Sequence, residues 1–129
     1  GIKAALSLSA DAVQIGTAFL ATTQSNATQD HKDKLFSPDA KYTALTKVFT
    51  GRLSRGIQNR ITKELNNYQE LLAPYPLQGK FMSQLKAYGA GANAKSDLKA
   101  YWAGQSAPLL KYRDAGKFFE SLVSAMAKL

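Results

Sequence analysis

The chain contains no cysteine in 129 residues, which excludes a disulfide framework and a thiolate metal site and suits a reducing compartment. No apolar run approaches the ~18 residues of a membrane span, and the N-terminus lacks the basic-then-apolar layout of a secretory leader. A soluble, cytoplasmic protein with no membrane partner is therefore expected. His31 is the only histidine, and neither clustered His/Cys ligands nor a carboxylate pair at ligand spacing is present, so no metal is expected. Acid is scarce as well: nine Asp and Glu against seventeen Lys and Arg leave a net charge of +8. Such a balance favours a polyanionic partner. The distribution argues against one, because basic residues run from Lys3 to Lys128. The densest stretch, KVFTGRLSRGIQNRITK (47–63), carries five of them without the stacked aromatics of an RNA-binding surface. A solvated basic face is the plainer reading, and no nucleic-acid partner is expected.

The length is that of one ordinary domain, and 45% hydrophobic residues are enough for a core. The chain opens on Gly1 without a Met, inside a helical pattern, IKAALSLSA, whose Ile2, Ala5, Leu6 and Ser9 share one face; a cut or processed start is expected. Next comes ADAVQIGTAFLA (10–21), a β-branched run that breaks at Gly16-Thr17 and continues in helix-friendly residues. Helix, strand and helix in succession are the mark of α/β winding. Little β signal follows. Residues 24–41 are polar, with a turn at Ser37-Pro38-Asp39, and read as a loop with one helical turn. YTALTKVF (42–49) suits a short edge strand, and Gly51 and Gly56 bracket a further loop. Ile57, Ile61, Leu65, Tyr68 and Leu72 then fall at helical spacing up to Pro74 and Pro76. Leu77, Phe81, Leu85 and Tyr88 form the next stripe, stopped by GAGANA (89–94). Ser96 is placed to cap a third helix, DLKAYW (97–102), and a last helix runs from about Ala115 with Phe118, Phe119, Leu122, Val123 and Met126 inward. One or two strands cannot make a parallel sheet, and an unpaired buried strand leaves backbone groups unsatisfied at ~1–3 kcal/mol each. Partners for AVQIG are therefore expected on sequence preceding Gly1, with another chain as the alternative.

Four blocks in order across residues 1–110, ADAVQIGTAFLATTQSNATQDHK, TKVFTGRLSRGIQNR, APYPLQ and YWAGQ, resemble the C-terminal third of the nitronate monooxygenases, flavin enzymes formerly called 2-nitropropane dioxygenases. The resemblance implies an α/β fold: the end of an FMN-binding (β/α)8 TIM barrel with a helical segment closing over the flavin. Residues 1–23 would be the barrel's end, with AVQIG as its eighth strand, 24–110 the lid-like helical segment and 111–129 the C-terminal helix. It also implies that Gln14, Ile15, Gly16 and Thr17 contact FMN, the Gly16 and Thr17 amides lying on its phosphate. Barrel phosphate sites are commonly built from the loops after strands seven and eight and the N-terminus of a short extra helix. Free amides and the helix dipole hold the anion there. Glycine lets the backbone come close, and Thr17 can cap the helix and offer a hydroxyl. By itself a Gly-Thr pair means only a turn.

Tyr75, Trp102 and Gln105 would lie near the flavin's open face, where an aromatic wall excludes water and shapes a substrate pocket. Ordinary helix-end packing accounts for them equally well. Arg52, Arg55 and Arg60 read as structural, bonding loop carbonyls or carboxylates through their forked donors, with substrate contact as the alternative. His31, within QDHKD, reads as a solvated surface histidine. The family's proton-abstracting histidine belongs to a Gly-rich motif well upstream of the eighth strand, and no GGH-like stretch occurs here, so no catalytic residue is expected in this chain. The implied activity is oxidation of alkyl nitronates, of the propionate 3-nitronate type, by FMN and O2 to a carbonyl compound and nitrite, the flavin carrying the chemistry. The implied partners are the nitronate, O2 and the remaining barrel portion. Two alternatives stand beside this reading: a flavin-dependent enoyl reductase-like oxidoreductase on the same scaffold, and a basic helical nucleic-acid-binding module whose binding falls steeply with salt.

Overall fold

Strands exist only through their partners, and the pairing in this molecule joins two neighbouring segments and a third that is distant in sequence. The computed structural model describes residues 1–88 and 97–126. Helix α1 (Ile2–Ser7) leads into residues 10–16, which belong to no helix or ladder. Among the described residues nothing pairs with the expected strand AVQIG, and its Val13 is left exposed. The one-turn α2 (Thr17–Leu20) follows.

Residues 24–41, expected as a loop with a single helical turn, instead hold α3 (Gln29–Leu35) and a 3-10 turn at Pro38–Lys41. Helix α3 has almost no apolar stripe to betray it. Its signals are polar: Thr28 accepts the amide of His31 at 3.3 Å, Asp30 sits in the first turn, and Lys32 and Lys34 sit in the last, matching the helix dipole at both ends. The ammonium of buried Lys32 is satisfied by the carbonyls of Thr23 and Ser25, at 3.2 and 2.9 Å.

The edge strand expected within 42–49 is β1 (Thr43–Thr46), which pairs antiparallel with β2 (Ser54–Ile57) in the register Thr43↔Ile57, Ala44↔Gly56, Leu45↔Arg55 and Thr46↔Ser54. Gly56 and Ile57 thus belong to a strand, not to a loop and the start of a helix. Helix α4 (Arg60–Leu65) begins only after Asn59, whose side chain accepts the Thr62 amide while Thr62 Oγ1 accepts the Asn59 amide, a reciprocal capping box. It ends at Leu65, and Asn66–Leu71 continue as 3-10 turns, so the expected single helix to Leu72 is divided.

The third expected helix is also replaced. Asp97 is helical, but residues 99–103 run extended along β2: the Ile57 amide donates to Tyr101 O at 2.8 Å, the Ala103 amide to Arg55 O at 3.2 Å, and Gly56 bridges Trp102. A Cβ at Gly56 would lie 2.8 Å from Tyr101 O, so this close pairing needs glycine. Alternation explains the strand. Tyr101 and Ala103 join one core with Ala21, Leu35, Ala40, Ile57 and Ala107, while Ala100 and Trp102 pack on a second core of Val48, Phe49, Ile61 and Met82. Period two serves two cores where a helix would serve one. The capping residue Ser96 and the GAGANA loop lie outside the described residues.

Helix α5 (Leu77–Tyr88) and helix α6 (Ala115–Met126) form where expected. Their faces differ from expectation. In α5 the inward residues are Gln78, Met82 and Leu85, while Leu77, Phe81 and Tyr88 point outward, because Gln78 is needed inside to bond backbone. In α6 only Phe118 and Leu122 of the expected inner set are half-buried, and Phe119, Val123 and Met126 are exposed. No helix among the described residues is long and apolar enough to cross a membrane.

Candidate functional site

The turn at Gly16-Thr17 is open. Gly16 caps α2 with φ −99° and ψ −65°, no side chain bonds the cap, and a Cβ there would meet nothing within 4 Å. The first amides of a helix have no intrahelical acceptor, so this turn presents donors to its open side. Gln14 beside it is exposed and Ile15 half-buried. Thr17 is the first helical residue, not the cap, and its Oγ1 accepts the amide of Gly104 at 2.9 Å. A hydroxyl that accepts one bond still has its own proton to donate. This contact brings the GT turn against the YWAGQ block, and Gln105 follows Gly104 as an exposed residue.

The 102–104 segment is held from a second side by α3. Nε2 of His31 lies 3.0 Å from Trp102 O, and its ring stands edge-on to Tyr101 at 5.6 Å and 88°. His31 is half-buried and engaged, a correction to its reading as a solvated surface residue. Its neighbour Asp30 accepts both Lys99 Nζ and Tyr101 OH at 2.8 Å. These bonds, Lys99 first and Tyr101 second, hold the Asp30 carboxyl below its ordinary range. Burial, reinforced by the same Asp30 contact, pushes the Tyr101 phenol well above its own. Trp102 turns its ring edge-on to Phe49, with centroids 5.7 Å apart, and packs on the second core.

Tyr75 belongs to another cluster. Its ring lies beneath the Arg52 guanidinium at 4.3 Å, and both residues are exposed. Gly51 makes the approach possible: with φ +84°, its missing Cβ would fall 2.5 Å from the Tyr75 amide nitrogen. Buried Gln78 ties the same two loops together, donating to Val48 O at 2.7 Å and accepting the Ala73 amide at 3.1 Å. Arg55 and Arg60 make bonds of the kind expected of structural arginines. Arg55 donates to Thr43 Oγ1 at 3.2 Å, and Arg60 pairs with Glu64 at 2.8 Å on an exposed helix face. The structure therefore joins Thr17, Gly104, Trp102 and His31 in one constellation and Tyr75 with Arg52 in a second, with Phe49 of the 48–52 loop against the Trp102 ring. Sequence reasoning missed His31 and Gly104. The only local hint was the Thr28 cap that makes 29–35 a helix.

A family model described as nitronate monooxygenase matches residues 1–124. A probable nitronate monooxygenase from Staphylococcus aureus (strain Newman) is 36% identical over 95 residues, covering 74% of this chain and 27% of the relative. The chain thus spans 27% of the length of the curated relatives of this type that it matches, strain JH9 included. Among solved structures, a nitroalkane oxidase from Streptomyces ansochromogenes superposes with a TM-score of 0.82 at 38% identity, over 98% of this chain and 36% of that one. FabK from Thermotoga maritima shares the fold, with a TM-score of 0.61 at 22% identity over 98% of this chain and 42% of that one.

Proposed function

The chain belongs to the nitronate monooxygenase family, and from that premise we propose that a polypeptide of the relatives' length oxidises alkyl nitronates of the propionate 3-nitronate type with FMN and O2, yielding a carbonyl compound and nitrite. In this reading residues 1–23 close the barrel and supply the phosphate end of the flavin site, residues 24–110 form the lid-like segment, and residues 111–129 form the C-terminal helix. The observation that carries it is the Thr17–Gly104 hydrogen bond, which joins the first and last of the four sequence blocks at an open helix turn.

The residues present fit a phosphate. The turn offers backbone amides, a hydroxyl with a proton to give, and a face that no Cβ obstructs. FMN, when bound, supplies the redox chemistry. The chain's own residues do the holding. Gly16 and Thr17 take the phosphate through their amides, and Thr17 adds its hydroxyl while retaining Gly104. Gln14 and Ile15 line the approach on the side preceding the turn. Trp102, braced by Phe49, excludes water, with Gln105 exposed beyond it in sequence and Tyr75, stacked under Arg52, contributing from a separate loop. His31 is committed to the Trp102 carbonyl, and a nitronate has already lost its α-proton, so this reading asks no base of the chain. Neither nucleic acid nor a membrane surface enters this reading, and the protein acts in the cytoplasm.

The test uses the complete polypeptide that carries these residues. It is expected to purify with flavin absorbance and to consume O2 on addition of propionate 3-nitronate. Rapid NADH oxidation by an enoyl thioester, with no response to the nitronate, would assign it to enoyl reduction on the same scaffold. A colourless protein that takes up no added FMN would overturn the flavin reading altogether.

A further inference from the structure

His31 is the chain's only histidine and has no part in the function proposed above, yet it is half-buried and aimed at a backbone carbonyl. A carbonyl oxygen only accepts, so the hydrogen of the 3.0 Å contact with Trp102 O lies on Nε2 of His31. One residue further on, the Ala103 amide donates to Arg55 O at 3.2 Å, and at the next the Gly104 amide donates to Thr17 Oγ1 at 2.9 Å. Three consecutive residues are thus fixed from three elements: α3 through His31, β2 through Arg55, and α2 through Thr17. The anchor on α3 is itself firm. Tyr101 OH and Lys99 Nζ both bond Asp30, and the His31 ring stands on the face of that network. Without His31 the Trp102 carbonyl keeps no partner on that side, and the peptide planes between Trp102 and Gly104 gain freedom to rotate away from Thr17.

We infer that His31 is a positioning residue: its Nε2–H holds the Trp102 carbonyl, and through the 102–104 backbone this sets the Gly104 amide on Thr17 and so orients the Thr17 hydroxyl at the turn. The consequence for flavin affinity rests on the phosphate role proposed for that turn. The clamp itself does not. With Oγ1 occupied as an acceptor by Gly104, the hydroxyl proton is directed to the open side, where an anion can take it. Loosening the clamp lets Thr17 rotate and donate elsewhere.

The experiment compares wild type with His31→Phe, His31→Gln and Thr17→Val in the complete polypeptide, using two readouts. The first is hydrogen exchange at the Gly104 amide in flavin-free protein. His31→Phe and Thr17→Val are expected to speed it about threefold to tenfold, the weight of one hydrogen bond, whereas His31→Gln, which keeps an N–H donor, stays near wild type. Unchanged Gly104 exchange in His31→Phe overturns the inference. The second is the ratio of FMN to riboflavin affinity, which isolates the phosphate because the two ligands differ only there. Both disruptive variants are expected to lower the ratio about threefold to tenfold and leave riboflavin binding unchanged, and His31→Gln to restore it. Equal losses for FMN and riboflavin would mark a general loosening and overturn the positioning role. A wild-type protein that binds riboflavin as tightly as FMN overturns the phosphate reading instead, and Gly104 exchange then decides the clamp alone. Should His31→Phe fail to fold, Thr17→Val and His31→Gln still give opposite expected results at Gly104, and matching behaviour of the two overturns the inference.

Discussion

At the scale of single residues, two glycines that look alike in the sequence have opposite reasons to be glycine. Gly51 is required by the fold: its φ is +84°, and a Cβ would lie 2.5 Å from Tyr75 N and 2.7 Å from Ala73 O, both backbone atoms that cannot swing aside. Gly51→Ala is expected to cost about 2 kcal/mol or more, from left-handed strain plus the clash, and to lower the denaturation midpoint of the complete polypeptide in urea. Gly16 is not required by the fold. With φ −99° and open space around its Cα, an alanine fits, and Gly16→Ala is expected to stabilise slightly, by about 0.4–1 kcal/mol, through the unfolded chain. The same methyl would stand where the phosphate approaches, so FMN affinity is expected to fall while the midpoint holds or rises. Unchanged FMN affinity in Gly16→Ala, read by fluorescence titration, would remove the close-approach role from Gly16. The residue pair that ties 75 to the 48–52 loop shows the same lesson from the polar side. Gln78, an unremarkable helix residue in sequence, is 3% exposed because two backbone groups of other segments need it.

At the scale of elements, what was legible depended on whether the signal was local. Helices α5 and α6 were legible because helical propensity and an apolar periodicity coincide within each, and β1 because β-formers follow a turn. The α4 boundary was not, since Ile57 falls in phase with Ile61 and Leu65 although two residues between Ile57 and α4 leave the helix. Asn59 decides that boundary with its capping box, and its Nδ2 also donates to Lys99 O at 2.8 Å. Asn59→Ala is expected to cost about 2 kcal/mol, at the upper end for a lost cap, because the Lys99 carbonyl loses its donor as well. Thermal denaturation of the complete polypeptide checks the size. A loss no larger than a few tenths of a kcal/mol would mean that neither bond bears on stability. The 99–103 strand was misread as a helix because DLKAYW is short and its alternation spans only four core residues, Ala100 to Ala103. Two periods fit so brief a stretch, and only the two cores on either side of it distinguish them.

At the scale of the whole molecule, those two cores make a separable prediction. Ile57 belongs to the core that includes Tyr101 and Leu35, and Met82 to the core that includes Val48 and Phe49, with no buried residue in common. Ile57→Ala and Met82→Ala are each expected to cost about 2–5 kcal/mol, and the double variant to equal the sum within about 0.5 kcal/mol. Strong non-additivity in urea titrations would show that the sheet couples the two cores. The sequence by itself determined the absence of disulfides, the basic surface, the placing of α1, α5, α6 and β1, and the turn at Gly16-Thr17, because these follow from residue chemistry and short-range periodicity. Its four ordered blocks also carried the family. Tertiary structure decided which face of α5 turns inward, that residues 99–103 run extended, and that His31 is engaged. Those outcomes rest on contacts between residues 71 apart for His31 and Trp102 and 87 apart for Thr17 and Gly104, where a segment's conformation is set by the unpaired groups it must satisfy in another.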